Sequence, residues 1–166
     1  KIAATRIAFG KFLNCGQTCV APDYILIDEK VKDKFLEYFK EAIIKMYTPS
    51  PLDNQNYGKI INQKHFNRIS GLIDKNKVYY GGKTNEELLK IEPTILDNVT
   101  LDDAVMKEEI FGPIMPIISY KNFDEAEKII RSFSSPLAFY VFSNNKKFIK
   151  YSLNSFHFGG GCINDT

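Results

Sequence analysis

Cysteine, histidine and net charge are all in short supply. The 166-residue chain has three cysteines, two histidines and a formal net charge of +2, from 22 Lys and Arg against 20 Asp and Glu. An odd, small number of thiols in a chain large enough to fold by burying apolar surface argues against a secreted disulfide scaffold and predicts a reducing compartment, the cytoplasm. A structural zinc site needs about four ligands, and His65 and His157 stand far from the first cysteine pair without paired ligand spacing. No metal site is expected. Lysines scattered among acidic residues leave no basic field to draw nucleic acid or anionic lipid. No apolar run approaches the roughly 20 residues that span a bilayer. The opening KIAATRIAFGKF lacks a signal-peptide cleavage pattern, and a soluble chain is expected. FGGGCINDT has consecutive glycines but neither the lysine and helix of a phosphate loop nor the GxGxxG spacing of a dinucleotide fingerprint, so close backbone packing is expected there.

The composition that remains is 44% hydrophobic and 25% charged, enough for one core, and residues 1–166 read as a single domain. Residues 2–14 hold Ile7, Ala8 and Phe12 at near-helical spacing. DYILI reads as a strand, and DEKVKDKFLEYFKEAIIKMY puts Val31, Phe35, Tyr38, Phe39, Ala42 and Met46 on one helical stripe. After a Pro- and Asn-rich loop, NQKHFNRISGLIDKN places Phe66, Ile69, Leu72 and Ile73 on another helical face, weakened by Gly71. KVYYGG, EPTILDNV and PIMPIISY read as strands, NFDEAEKIIRSF as a helix, LAFYVFS as a buried strand, NNKKFIKYSLNSF as a helix, and GGGCIND as a last strand or turn. Such alternation predicts an α/β fold, a mostly parallel open sheet flanked by helices, with function at loops beyond the strand ends.

Three stretches carry residues capable of chemistry. In FLNCGQTCVAPDYIL, a tight turn at Gly16 and Gln17 can lift the Cys19 sulfur to the edge of a cleft. A thiolate there attacks a carbonyl, and the N–H groups of a turn stabilise that anion and a developing oxyanion. The competing reading of Cys19 is a small buried hydrophobe. Cys15 reads as packing filler, the intervening turn opposing a disulfide to Cys19, and Cys162 also reads as core. KEEIFGP offers Glu108 and Glu109, then Phe111 in a Gly-Pro turn. Such a turn can aim one carboxylate at sugar hydroxyls and lay Phe111 against a flat ring, the alternative being solvated surface charge. His65 falls on the polar side of its helix, where a lone histidine is more often inert.

In this order, FLNCGQTCVAPDYIL, EEIFGPIMPI, PLAFYVFS and FGGGCINDT resemble the aldehyde dehydrogenase superfamily, in particular its class 3 or fatty-aldehyde branch. The first is similar to that family's cysteine signature and the second to its cofactor-contact motif. The last two are similar to its late core strand and following glycine turn. The resemblance runs from residue 12 to the end. It implies that Cys19 is the nucleophile, that Glu109 binds the nicotinamide-ribose hydroxyls of NAD or NADP, and that Phe111 lies beside the nicotinamide. It also implies that the Cys19 N–H is one half of an oxyanion hole and that Asn14 and Asn164 lie in the substrate and oxyanion vicinity, Asn164 bracing its loop. His65 and Arg68 fall among polar residues near the cofactor, and Cys15 has no catalytic role. The implied reaction takes an aldehyde to a carboxylate through a cysteine thiohemiacetal and thioester.

These residues lack the family's N-terminal dinucleotide-binding half, with its Glu-Gly-Gly motif and oxyanion asparagine, and its C-terminal oligomerisation arm. The expectation is therefore a catalytic domain cut from a longer enzyme. Its partners would be an aldehyde, the missing half and a second copy in a homodimer. In isolation it would be inactive, with apolar surface exposed where the missing half would sit. A cysteine acyl transferase or esterase that needs no nicotinamide, and a non-catalytic scaffold or interaction fragment, are the alternatives.

Overall fold

The computed structural model describes residues 1–166. Helices α1 (Ile2–Phe12) and α2 (Glu29–Tyr47) bracket the first strand, β1 (Ile25–Asp28). Leu36, Phe39, Ala42 and Ile43 recur at helical spacing and form the buried stripe of α2. The Asp28 carboxylate starts that helix by accepting the Lys30 N–H at 2.9 Å. Helices α3 (Gln63–Ser70), α4 (Phe123–Ser132) and α5 (Lys146–Ser155) each begin at an asparagine cap, Asn62, Asn122 and Asn145.

Helix α3 is shorter than its apolar pattern suggests. Gly71 follows its last residue, and the Leu72 and Ile73 N–H groups turn back to the Ile69 and Ser70 carbonyls at 3.0 and 3.2 Å. A residue with low helix propensity thus yields to tighter turns, yet Leu72 and Ile73 still pack against the core.

Strand β6 (Ile114–Tyr120) is central, parallel to β1 on one side and to β5 (Thr94–Leu96) on the other. Strand β2 (Val78–Tyr80) closes the far edge antiparallel to β5. The mostly parallel, helix-flanked sheet is therefore present, and its alternation divides the core. Ile95, Met115 and Ile117 join Ala4, Ala8 and Phe12 of α1 and Leu36, Phe39 and Ile43 of α2. Leu96, Ile114 and Ile118 join Phe66 and Ile69 of α3 with Ile110 and Cys15. A strand covered on both faces reads as a continuous apolar run, as IMPII does.

Two features depart from the sequence pattern. Strands β3 (Thr84–Asn85) and β4 (Lys90–Ile91) form a small antiparallel hairpin within apparently polar turn material. Strands β7 (Ala138–Val141) and β8 (Gly160–Ile163) pair in parallel as a separate ribbon. LAFYVFS is not a buried strand: only Val141 of β7 is buried, because β8 is exposed along its length. For the same reason Cys162 is exposed rather than part of a core, its glycine neighbours supplying no side chains to cover it. Helix α1 leaves Ile2 70% and Phe9 52% exposed, with Leu13 beyond it 49% exposed. No helix is long and apolar enough to cross a membrane.

Candidate active site

After Phe12 the chain enters a 3-10 turn, Leu13–Gly16, in which Asn14 (φ 52°), Cys15 (φ 55°) and Gly16 (φ 72°) are left-handed. Each non-glycine residue held there costs on the order of 1–3 kcal/mol, so the surroundings must over-determine the loop. Asn14 Nδ2 donates to the Gln17 carbonyl at 3.0 Å, and the Gln17 N–H donates back to the Asn14 carbonyl at 3.1 Å. Gln17 Nε2 donates to the Lys59 carbonyl at 3.0 Å while its Oε1 accepts the Ile61 N–H at 2.9 Å. That one carboxamide stitches the cysteine loop to the segment before α3.

The same loop separates the two cysteines. Cys15 points into the core, and burial pushes its thiol up to about 11, opposed in part by the Tyr57 hydroxyl and by Lys90. A second turn follows at residues 18–21, closed by the Ala21 N–H on the Thr18 carbonyl at 3.0 Å, and holds Cys19 exposed at its second position. Lifting this sulfur therefore takes two turns, one beyond the turn at Gly16 and Gln17. Gly16 itself faces elsewhere. A Cβ there would collide with the Gly112 carbonyl and stand 3.1 Å from the Lys11 carbonyl oxygen.

Gly112 belongs to the second motif, so the two motifs meet backbone to backbone. Phe111 is left-handed (φ 47°) and 40% exposed. On one side of the segment, Arg68 of α3 donates to the Glu108 carboxylate at 3.3 Å and to the Glu109 and Ile110 carbonyls at 3.3 and 2.6 Å. On the other, the Ile110 N–H donates to Asp23 Oδ1 at 3.1 Å. Arg68 thus occupies Glu108, whereas Glu109 is exposed and enters no salt bridge. His65, one helical turn before Arg68, contributes only its backbone N–H, to Asn62.

Two further side chains border the site. Lys11, in the last turn of α1, is 1% exposed with its Nζ 3.9 Å from Asp23 Oδ1. Burial pulls its ammonium down to about 8, against the opposing pull of Asp23 and Glu109. Tyr140 of β7 donates its hydroxyl to the Val20 carbonyl at 2.7 Å, tying the ribbon to the Cys19 turn. Its phenol is raised first by burial, then by Cys162 and Cys19 nearby. Asn164 (φ 57°) closes the end of the ribbon, accepting the Ser143 N–H at 3.0 Å and donating to the Ser143 carbonyl at 3.1 Å.

The sequence profile of the aldehyde dehydrogenase family matches residues 1–166. The chain belongs to that family. It is 45% identical over 168 residues to the 4,4'-diaponeurosporen-aldehyde dehydrogenase of Staphylococcus aureus, covering 100% of this chain and 37% of the relative. It is 46% identical over 165 residues to the dimeric NADP-preferring aldehyde dehydrogenase of Rattus norvegicus, covering 99% and 36%. The substrate-bound state of Staphylococcus aureus AldH matches with a TM-score of 0.97 at 44% identity, over 100% of this chain and 37% of that one. The chain thus spans a little over a third of the length of these relatives.

In this aldehyde dehydrogenase domain, the cysteine loop with Asn14 and Cys19 and the segment with Glu109 and Phe111 are in direct contact, and Asn164 sits at the ribbon end. Asp23, Lys11 and Tyr140 were not singled out by the motifs, and Gln17 was read only as a turn residue, not as a tie to residues 59–61. Only Lys11 left a trace in the sequence, as a charge on the stripe of Ala4, Ala8 and Phe12. The others act through contacts distant in the chain, where periodicity carries no signal.

Proposed function

We propose that residues 1–166 are the catalytic domain of an NAD(P)-dependent aldehyde dehydrogenase acting on medium or long apolar aldehydes, with Cys19 as its nucleophile. The observation that supports this reading is the contact of Gly16 with Gly112, which joins the loop that carries the exposed Cys19 to the segment that carries the exposed Glu109 and Phe111. Attack by the Cys19 thiolate forms a C–S bond and moves the carbonyl electron pair onto oxygen, giving a thiohemiacetal. The Cys19 N–H is offered to that oxyanion. When bound, NAD or NADP would supply the hydride acceptor. Loss of hydride leaves a thioester on Cys19, and attack of water on it releases the carboxylate and restores the thiol.

Residues of this chain fit such a cofactor. Glu109 enters no salt bridge and can accept ribose hydroxyls, and Phe111 offers a ring for the flat nicotinamide. Asn14 and Asn164 brace the loop and ribbon around the sulfur. The dinucleotide-binding half is assigned to sequence outside these 166 residues, which are inactive by themselves. A homodimer in a reducing cytoplasm completes the proposal, in keeping with the dimeric relative and the free thiols.

The test uses the protein that carries this sequence in full. Cys19→Ala abolishes NAD(P)H formation from an apolar aldehyde, and acid quenching of the unsubstituted protein traps an acyl group on Cys19, read by peptide mass spectrometry. An active Cys19→Ala protein, or an acyl group on Cys15 or Cys162, refutes the assignment.

A further inference from the structure

Lys11 stands on the buried stripe of α1 among Ala4, Ile7, Ala8 and Phe12. An ammonium there gives up water, and a methionine would fill the same volume without that penalty. Its one ion-pair partner is Asp23, at 3.9 Å. Asp23 also accepts the Ile110 N–H at 3.1 Å. At its other end, the Lys11 carbonyl forms part of the wall against which Gly16 packs. One residue is therefore joined through its backbone to the cysteine loop and through its side chain to the anchor of residues 109–111. Glu109 acts on the same ammonium from beyond ion-pair distance.

We propose that Lys11 is a positioning residue: its buried ammonium fixes Asp23, and through Asp23 the Ile110 N–H, so that Glu109 and Phe111 stay in register with the Cys19 loop for the nicotinamide cofactor. The cofactor clause rests on the function proposed above; the positioning clause does not. Arg68 grips the same segment from α3, through Glu108 and the Glu109 and Ile110 carbonyls. Loss of Lys11 therefore loosens the segment without releasing it. Because Lys11 touches no reacting atom in this account, its removal changes cofactor affinity and leaves the aldehyde KM in place.

Hydrogen exchange read by mass spectrometry, with cofactor and aldehyde kinetics, tests this in the protein that carries the sequence in full. In Lys11→Met, exchange over residues 108–113 accelerates about tenfold while residues 123–132 of α4 keep their rate. The NAD(P) Kd and KM rise about tenfold, and the aldehyde KM is unchanged. Asp23→Asn alone reproduces the loosening, since it removes the charge that Lys11 holds, and adds nothing in the Lys11→Met background. Unchanged exchange over 108–113 overturns the proposal, as does equal acceleration of both segments, which marks a merely structural lysine. If the unsubstituted protein oxidises no aldehyde, the proposed function fails, and the exchange result still decides the role of Lys11.

Discussion

Burial and backbone geometry, acting on single residues, set the properties of the site. Cys15 is held in the core as a thiol near 11, whereas the next turn carries Cys19 into solvent. Iodoacetamide at pH 8 is expected to modify Cys19 and Cys162 and to spare Cys15 until the protein unfolds, as read by peptide mass spectrometry. Gly16→Ala meets two obstacles, a positive φ and the Gly112 carbonyl. It should cost about 1–3 kcal/mol in denaturant unfolding.

Lys11 links stability to pH. Its folded value of about 8 lies below the ordinary 10.5, so between those values the unfolded chain binds a proton that the folded chain does not. The Lys11 contribution to stability therefore rises with pH in that window, by up to about 3 kcal/mol. Above about pH 9 Cys15 works the other way, because burial holds its thiol protonated up to about 11 after it ionises in the unfolded chain, and above about pH 10 Tyr47 and Tyr57 join it for the same reason. Urea unfolding between about pH 8 and 9 should show the rise in the natural chain and not in Lys11→Met.

Among the elements, those with a local cause were readable in the sequence. Helix α4 combines an asparagine cap with a reciprocal carboxylate: Asn122 accepts the Glu125 N–H at 3.2 Å, and Glu125 accepts the Lys121 N–H at 2.9 Å. Asn122→Ala should cost about 1 kcal/mol, measurable by thermal or urea unfolding. Strand β6 was legible as an uninterrupted apolar run. The two-residue strands β3 and β4 were not, since so short a segment holds no period and exists only through its partner. Strand β7 misled for a related reason: an apolar run reports a tendency to be covered, while β8 leaves it half open. At the site, Cys19, the Glu108 and Glu109 pair and Phe111 stood out by residue type and turn chemistry, and only the family resemblance chose Glu109 over Glu108. Gln17, Asp23 and Tyr140 bond across 42, 87 and 120 residues of chain, which no local pattern records.

Across the whole molecule, β6 divides two apolar clusters, and α1 closes one of them while leaving Ile2 and Phe9 open to water. The 166 residues alone should associate as concentration rises, seen by sedimentation, and Phe9→Lys should reverse this. The same preparation is expected to form no NAD(P)H from an aldehyde. Tyr140 reaches from an exposed ribbon to the carbonyl beside Cys19, and Asn164 clasps that ribbon's far end. The sulfur is thus mechanically coupled to the outer surface of the molecule. Strain placed on the ribbon from outside would therefore be felt first at the carbonyl that follows Cys19.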